Sequence, residues 1–319
     1  NEAFSAHPKI DLNSKLSSEL VVTFGVQAGP KSTIRLMEFS NSGNNSGEIL
    51  SDRKDTFNGF SFLHDFAITT NWAIFLQNAI DFNPLPFVIG QRGAAQCLKS
   101  NPNKKSKFII IPRESGIYKG QRPRVIDAPK GFVFHHVNAF ENNSQIVLES
   151  IFYDDFPSVG PSENFRDIDF AKYPEGKLKR SIIDLKNQTS EVITLSEQCC
   201  EFAMVNPTRL GLQSTFSWMA CTERREGNAP LQAIKKFNSL TKEEIFWSAG
   251  SRSFVSEPVM SPSKNPSSED DGFIFIIVWN GERRGSDLVI LDAHNLQELS
   301  KYELPIAIPH GLHGSWVNA

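Results

Sequence analysis

Cysteine is scarce in this sequence, which has only Cys97, Cys199, Cys200 and Cys221 among its 319 residues. Their number and irregular spacing do not suit a disulfide framework, and the lack of a Cys-x-x-Cys pair argues against a zinc site. Both points favour a reducing compartment. Basic charge is also limited, because Lys and Arg total 33 against 36 Asp and Glu, for a net charge of −3. No nucleic-acid partner is therefore expected.

Long apolar segments and targeting signals are absent as well. No stretch approaches the roughly 18 apolar residues of a membrane span, and no signal or transit peptide precedes the first motif. The sequence starts at Asn1, so we expect that it begins inside a longer protein. Tyr and Trp number only 4 and 5, against 25 Phe. Aromatic rings without a polar group suit a dry core or an apolar ligand channel.

Short strand-like runs, rich in β-branched and aromatic residues, are abundant. They are LVVTF (20–24), TIRLMEF (33–39), WAIFL (72–76), FIIIP (108–112), GFVFHHV (131–137), QIVLESIF (145–152), RSIIDL (180–185), EIFWSA (244–249), FIFIIVW (273–279) and DLVILD (287–292). Hairpin patterns occur at 36–50, 182–195 and 289–304. We predict an all-β chain with no internal domain boundary. Repeated hairpins fit propeller blades better than a sandwich, although any meander sheet would produce them.

Histidine carries the main functional signal. Four of the 7 histidines lie in conspicuous settings, AHPKID around His7, LHDFAIT around His64, FHHVNAFE around His135 and HGLHGSW around His313. Any one of them alone would more often be a hydrogen-bonded structural residue than a ligand. Their wide separations exclude a helical HExxH site or a zinc finger and suit ligands that converge from separate blades. His136 is the strand neighbour of His135, so only one of the two can face a shared centre.

With these four motifs in order, the sequence resembles the carotenoid cleavage oxygenase family from FSAHPKID to HGLHGSWV, and around HDFAITTNWAIF it looks like the apocarotenoid-type branch. The resemblance implies a seven-bladed β-propeller with loops and short helices capping one face, present here as a single partial domain (1–319) without its upstream blades. It also implies an axial non-haem Fe(II) (Fe²⁺). The implied ligands are His7, His64, His135 and His313, and the implied non-ligands are His136, His294 and His310.

Family members hold three of the ligand imidazoles through glutamates on the far ring nitrogen. The matching positions here are Glu201 in CEFAMVNP and Glu257 in SEPVM, and a third glutamate would precede residue 1. Without the resemblance, each could equally be an exposed charge. The chemistry agrees with the assignment, because a carboxylate on one imidazole nitrogen fixes the tautomer and strengthens the other nitrogen as a metal donor.

The resemblance implies a dioxygenase that uses O2 to split a conjugated double bond of a carotenoid or apocarotenoid into two carbonyl products. Four neutral imidazoles would leave two positions of an octahedral iron open, as O2 activation requires. An apolar tunnel would select the bond, and alternation would make some of the candidate wall residues core instead. The candidates are Phe62, Phe66, Phe134 and Phe140. Two rivals stay open, a retinoid or carotenoid isomerohydrolase that uses the same iron as a Lewis acid, and a non-catalytic carotenoid-binding scaffold.

A carotenoid resides in a membrane, and the segment FNPLPFVIG (82–90) groups apolar side chains around two prolines. It predicts a loop that forms an apolar entrance patch on the membrane, with Arg92 placed to meet a headgroup phosphate. The patch residues are Leu85, Phe87, Val88 and Ile89. A loop buried under a neighbouring blade is the alternative. The implied location is a plastid, peripheral to a membrane, with the cyanobacterial cytoplasm as the alternative.

Overall fold

The strands of the chain form five antiparallel sheets of four or five strands and one two-stranded ribbon, in a computed structural model that describes residues 3–14, 19–158, 169–309 and 311–316. Each of the ten predicted runs coincides with one strand, with at most one residue outside it. The all-β class is therefore confirmed, while closure into seven blades stays a prediction.

The sheets follow one another along the chain. The first contains β1 (Ala3–Phe4), β2 (Lys9–Asp11), β3 (Leu20–Gln27), β4 (Lys31–Ser40) and β5 (Ile49–Asn58). The second begins with β6 (Ala67–Ile68) and β7 (Trp72–Gln77), is interrupted by the ribbon of β8 (Ile80–Phe82) and β9 (Leu98–Ser100), and ends with β10 (Ser106–Pro112) and β11 (Arg124–Ala128). The third contains β12 (Phe132–Asn142), β13 (Gln145–Tyr153), β14 (Lys177–Asp184) and β15 (Thr189–Ser196).

The last two sheets complete the described part of the chain. The fourth contains β16 (Cys200–Met204), β17 (Phe216–Cys221), β18 (Ala233–Asn238) and β19 (Glu244–Ser248). The fifth contains β20 (Ser253–Val255), β21 (Val259–Pro262), β22 (Gly272–Asn280), β23 (Gly285–Asp292) and β24 (Glu298–Glu303). In the third and fourth sheets each strand pairs with the next, as in a meander.

Among the residues that the structure describes, helices are few and short. One α-helix, α1 (Pro84–Val88), lies between the two ribbon strands, and single 3-10 turns occur at Gly43–Asn45, Ala95–Cys97, Phe170–Lys172 and Pro207–Arg209. Within the described ranges, no helix is long and apolar enough to span a membrane.

The core is divided into four apolar clusters, and each of them fills the space between two successive sheets. Strand β7 shows why its sequence has no polar face. Trp72 and Ile74 pack toward the third sheet, whereas Ala73 and Phe75 pack toward the first, and all four are buried. A strand covered on both faces is apolar at every position. The sheets therefore stack face to face in chain order.

Two strands are interrupted by bulges at positions that matter for the candidate site. The pairing of β12 with β13 shifts register on both sides of His136, and the pairing of β16 with β17 shifts between Glu201 and Met204. Phe202, inside the second shift, has a φ of 55°, a left-handed conformation that is uncommon for a bulky residue. Bulges often redirect side chains beside functional sites.

Candidate metal centre

Four histidines from separate parts of the chain meet at one place. His7 precedes β2, His64 precedes β6, His135 lies in β12 and His313 follows β24. Each offers one ring nitrogen, and the four nitrogens lie within 4.8 Å of one another. The structure thus brings together the four residues that the sequence motifs indicate.

Two of these imidazoles face each other directly. The Nε2 atoms of His7 and His64 are 3.1 Å apart, so at most one of them can carry a proton. Burial lowers the pKa of His7 to about 3 and also lowers the pKa of His64. Both rings are therefore neutral near pH 7, and their free lone pairs are the form that binds metal.

Glu201 forms a hydrogen bond with the third imidazole, that of His135. Its Oε2 atom lies 2.6 Å from His135 Nδ1 and also accepts the Phe202 backbone N–H at 2.6 Å. Burial lowers the pKa of His135, but the hydrogen bond and charge of Glu201 outweigh that effect and raise the pKa above its ordinary value. In the neutral ring, Nδ1 donates to the carboxylate and Nε2 is left as an acceptor. This buried Nε2 has no hydrogen-bond partner among the residues that the structure describes.

Tyr153 completes the contacts of the Glu201 carboxylate. Its hydroxyl donates to Glu201 Oε1 at 2.8 Å. Burial, together with the nearby carboxylate, raises the pKa of Tyr153 well above its ordinary value, so the hydroxyl keeps its proton. Sequence reasoning missed this residue, because a tyrosine at the end of an apolar strand looks like any other core aromatic.

Glu257 contacts the fourth histidine in a similar way. Its Oε2 atom lies 3.2 Å from His313 Nδ1 and accepts the Gly314 backbone N–H at 3.0 Å. Glu201 and Glu257, the two glutamates at the positions that match the family, therefore each contact the Nδ1 atom of one clustered histidine.

The donor set fits a transition metal. Imidazole nitrogens bind Fe, Zn, Cu and Ni, so four of them are compatible with iron without selecting it. The orphaned Nε2 of His135 and the close Nε2 pair of His7 and His64 are both arrangements that a bound cation would satisfy.

The predicted non-ligands lie elsewhere. His136 Nδ1 is 2.7 Å from Ser150 Oγ, and burial lowers the pKa of His136 to about 4. His294 points to Asp270, with 70% of its side chain exposed. His310 lies outside the described residues.

The four candidate tunnel phenylalanines fall into different environments. Phe134 packs against His64, with ring centroids 5.5 Å apart, and Phe62 packs against Phe132 at 6.2 Å. Phe66 is instead fully buried between the first and second sheets. Phe140 lines a separate small cavity beside Thr70 and Gly211. Phe66 therefore belongs to the core, as strand alternation allows for some of the four, and Phe140 lies at a different cavity, while the tunnel itself stays a prediction.

An apolar cavity of about 310 Å³ lies beside Glu201. Its wall includes Phe134, Tyr153, Phe170, Phe202 and Leu231. Phe202 also packs against His135 and His313, with ring centroids 5.4 and 5.8 Å away. The cavity therefore borders the histidine cluster through its aromatic wall.

The predicted entrance segment is a short helix, and the expectation of a loop was wrong in that respect. Asn83 caps the helix by accepting the Leu85 N–H at 3.3 Å, and Pro84 occupies the first turn, where a missing N–H has no cost. Its apolar side chains are exposed, namely Leu85 at 63%, Phe87 at 49%, Val88 at 76% and Ile89 at 54%. Such an exposed group is typical of an interaction surface.

Comparison with known proteins supports one family throughout the chain. The family described as RPE65, retinal pigment epithelial membrane protein, matches residues 1–318. Apocarotenoid-15,15'-oxygenase from Synechocystis sp. is 37% identical over 319 residues, covering 99% of this chain and 63% of that protein. Isoeugenol monooxygenase from Pseudomonas nitroreducens is 30% identical over 274 residues, covering 81% of this chain and 55% of that protein.

Solved structures give the same result. The crystal structure of cobalt-substituted Synechocystis ACO aligns with a TM-score of 0.94 and 37% identity, covering 100% of this chain and 65% of that one. The chain spans less than two thirds of the length of these relatives.

Proposed function

Because the chain belongs to the RPE65 and carotenoid oxygenase family, we propose that the protein cleaves a conjugated double bond of a carotenoid or apocarotenoid with O2 and releases two carbonyl products. The observation that carries this proposal is the convergence of four ring nitrogens within 4.8 Å. The membership itself confirms the resemblance seen in the histidine motifs.

We propose that His7, His64, His135 and His313 hold a non-haem Fe(II). Iron bound there would supply the activation of O2, and the protein would supply position and environment. Glu201 keeps the proton of His135 on Nδ1, and Glu257 does the same for His313. These contacts turn the remaining nitrogen of each ring toward the cluster.

The apolar cavity supports a carotenoid or apocarotenoid as the substrate class. A polyene has no hydrogen-bonding groups along its conjugated chain, so it matches a wall of aromatic and aliphatic side chains. Phe134 and Phe202 would place the polyene beside the imidazoles while excluding water. Phe62 is a further candidate, because it packs on the same aromatic group through Phe132.

We further propose that residues 1–319 belong to a single catalytic domain built as a seven-bladed propeller. The face-to-face succession of five sheets in chain order supports this arrangement. Its short helices would lie on one face.

For location, the Synechocystis relative favours a cyanobacterial setting over a plastid. Peripheral contact with a membrane through α1 is supported by the exposure of its apolar side chains.

The proposal is tested with the full-length protein loaded anaerobically with Fe(II) and then given a detergent-dispersed apocarotenal under oxygen-18 gas. We expect two carbonyl products, with oxygen-18 incorporated from the gas. An unlabelled, isomerised alcohol would instead identify an isomerohydrolase. Stoichiometric iron without any polyene turnover would indicate a binding scaffold. Faster cleavage of isoeugenol than of the apocarotenal would overturn the proposed substrate class.

A further inference from the structure

Asp65 follows His64 directly and contacts two other histidine-bearing segments. Its Oδ1 atom lies 2.8 Å from the ammonium of Lys9, two residues after His7. Its Oδ2 atom accepts the backbone N–H of His136, the neighbour of His135, at 2.8 Å. The residue is only 4% exposed. One carboxylate therefore joins the segments that carry three of the four clustered imidazoles.

We propose that Asp65 is a positioning residue that fixes the mutual placement of His7, His64 and His135. Its Oδ1 atom contacts a strand of the first sheet and its Oδ2 atom a strand of the third, while Asp65 itself lies just before β6 of the second. A shift of any one segment would strain one of the two contacts. This inference rests on the proposed metal site, because metal affinity is the property that such placement controls.

The partners also keep the local charge balanced. Lys9 neutralises Asp65 at a position where only 2% of the aspartate side chain is exposed. The ammonium of Lys9 thus offsets the cost of burying this carboxylate. The fourth imidazole is held separately, through Glu257 and Gly314.

A buried ion pair can also serve only the stability of the fold, and the chain offers a matched control for that role. Lys236 and Asp270 form an ion pair at 2.5 Å, with side chains 6% and 3% exposed. Their cavity includes His294 but none of the four clustered histidines. Loss of either buried carboxylate should destabilise the protein, whereas only Asp65 should affect metal binding.

The experiment is a Co(II) titration of the full-length protein, followed by its visible absorption spectrum. We expect Asp65→Asn to weaken Co(II) binding by about 10–100-fold and to change the ligand-field bands. Asp270→Asn should lower the thermal midpoint of the metal-free protein but leave Co(II) affinity and spectrum at wild-type values. Lys9→Met should give a smaller loss of affinity than Asp65→Asn, and the double variant should lose less than the two single losses combined.

The outcomes separate this inference from the proposed function. Wild-type Co(II) affinity and spectrum in Asp65→Asn would overturn the positioning role. If Asp65→Asn does not fold, Lys9→Met decides, because it preserves the bond to His136, and unchanged affinity in that variant overturns the role equally. A wild-type protein that binds no Co(II), or binds it undiminished after His64→Ala, would overturn the proposed metal site and the positioning role with it.

Discussion

The Glu201 carboxylate determines which nitrogen of His135 carries a proton. Its 2.6 Å contact with Nδ1 leaves Nε2 free, and a tautomer fixed in this way needs no rearrangement before it binds metal. Glu257 acts on His313 at 3.2 Å, where more solvent reaches the pair. The two glutamates therefore make the same kind of contact in environments of different polarity.

Replacing either glutamate by glutamine should weaken iron retention. We expect Glu201→Gln and Glu257→Gln to raise the rate of iron loss to a chelator, or to lower turnover, by on the order of 10–100-fold without unfolding the protein. The exposed Glu191 offers a control, since Glu191→Gln should behave as wild type. Iron retention and turnover at wild-type levels in the two site variants would show that these carboxylates do not support the ligands.

Tyr153→Phe should have a smaller effect of the same kind. The change removes only the hydroxyl that donates to Glu201 Oε1, and a hydrogen bond to a charged group contributes about 1.5–3 kcal/mol. We expect iron loss to a chelator to become about tenfold faster, because part of that energy fixes the carboxylate. Tyr302→Phe, at a 55% exposed position, is the control. Equal rates of iron loss in the two variants would show that Tyr153 does not support the metal site.

The sequence motifs indicated the four histidines and the family resemblance indicated both glutamates, because each lies in a short, recognisable stretch. They did not identify Tyr153 or the role of Asp65. Both act through partners more than 40 residues away in sequence, as in the pairs Tyr153–Glu201 and Asp65–Lys9. Such contacts arise only when neighbouring sheets pack, and a single sequence does not show which sheets become neighbours.

Strand β18 was not among the runs predicted from the sequence, and its composition shows why. Its sequence AIKKFN places Lys235 and Lys236 at its centre, a pattern that indicates solvent exposure. Both side chains are nevertheless buried, because Lys235 bonds Ser196 Oγ at 2.6 Å and Lys236 pairs with Asp270. In contrast, β7 and β10 were predicted closely, since apolar runs covered on both faces need no partner to explain them.

Helix α1 provides a direct test of membrane contact. Replacing Leu85, Phe87 and Ile89 together by Ser should reduce binding to liposomes and slow turnover of membrane-embedded substrate, while turnover of detergent-dispersed substrate is kept. Burial of exposed apolar surface in a bilayer contributes about 25 cal/mol of transfer free energy per Å², and this contribution is absent when the substrate is dispersed in detergent. Leu240→Ser, at a position 67% exposed in the turn between β18 and β19, should change neither assay. Equal loss of stability and activity in both media would show that 82–90 contributes to the core.

The thiols on β16 and β17 should be unreactive in the folded protein. Burial raises the pKa of Cys200 and of Cys221 to about 12, from 9.0. A raised thiol pKa means less thiolate at every pH below it, so alkylation at pH 8 should be at least about 100-fold slower than after unfolding. Mass spectrometry of iodoacetamide-treated protein measures this. Rapid modification of both residues under native conditions would show that this sheet opens readily.

Taken across the chain, the order of the motifs predicted that the histidines converge, but only the packing of the sheets shows how. His7 adjoins the first sheet, His64 the second and His135 the third, whereas His313 follows the fifth. A metal held by all four would connect the beginning of the chain to its end. Cross-links between distant segments stabilise a folded protein more than local ones do, because they constrain longer loops.

Metal should therefore stabilise the whole molecule. At a free metal concentration about 100 times its Kd, binding contributes about 2.7 kcal/mol, so we expect anaerobic Fe(II) or Co(II) to raise the thermal midpoint of the full-length protein by a few degrees. His313→Ala should abolish most of this increase, because it removes the ligand that comes from beyond the fifth sheet. His294→Ala is the control, with a side chain 70% exposed and outside the cluster. A full increase in His313→Ala, measured by calorimetry at matched metal concentration, would show that the metal binds somewhere other than the four-histidine cluster.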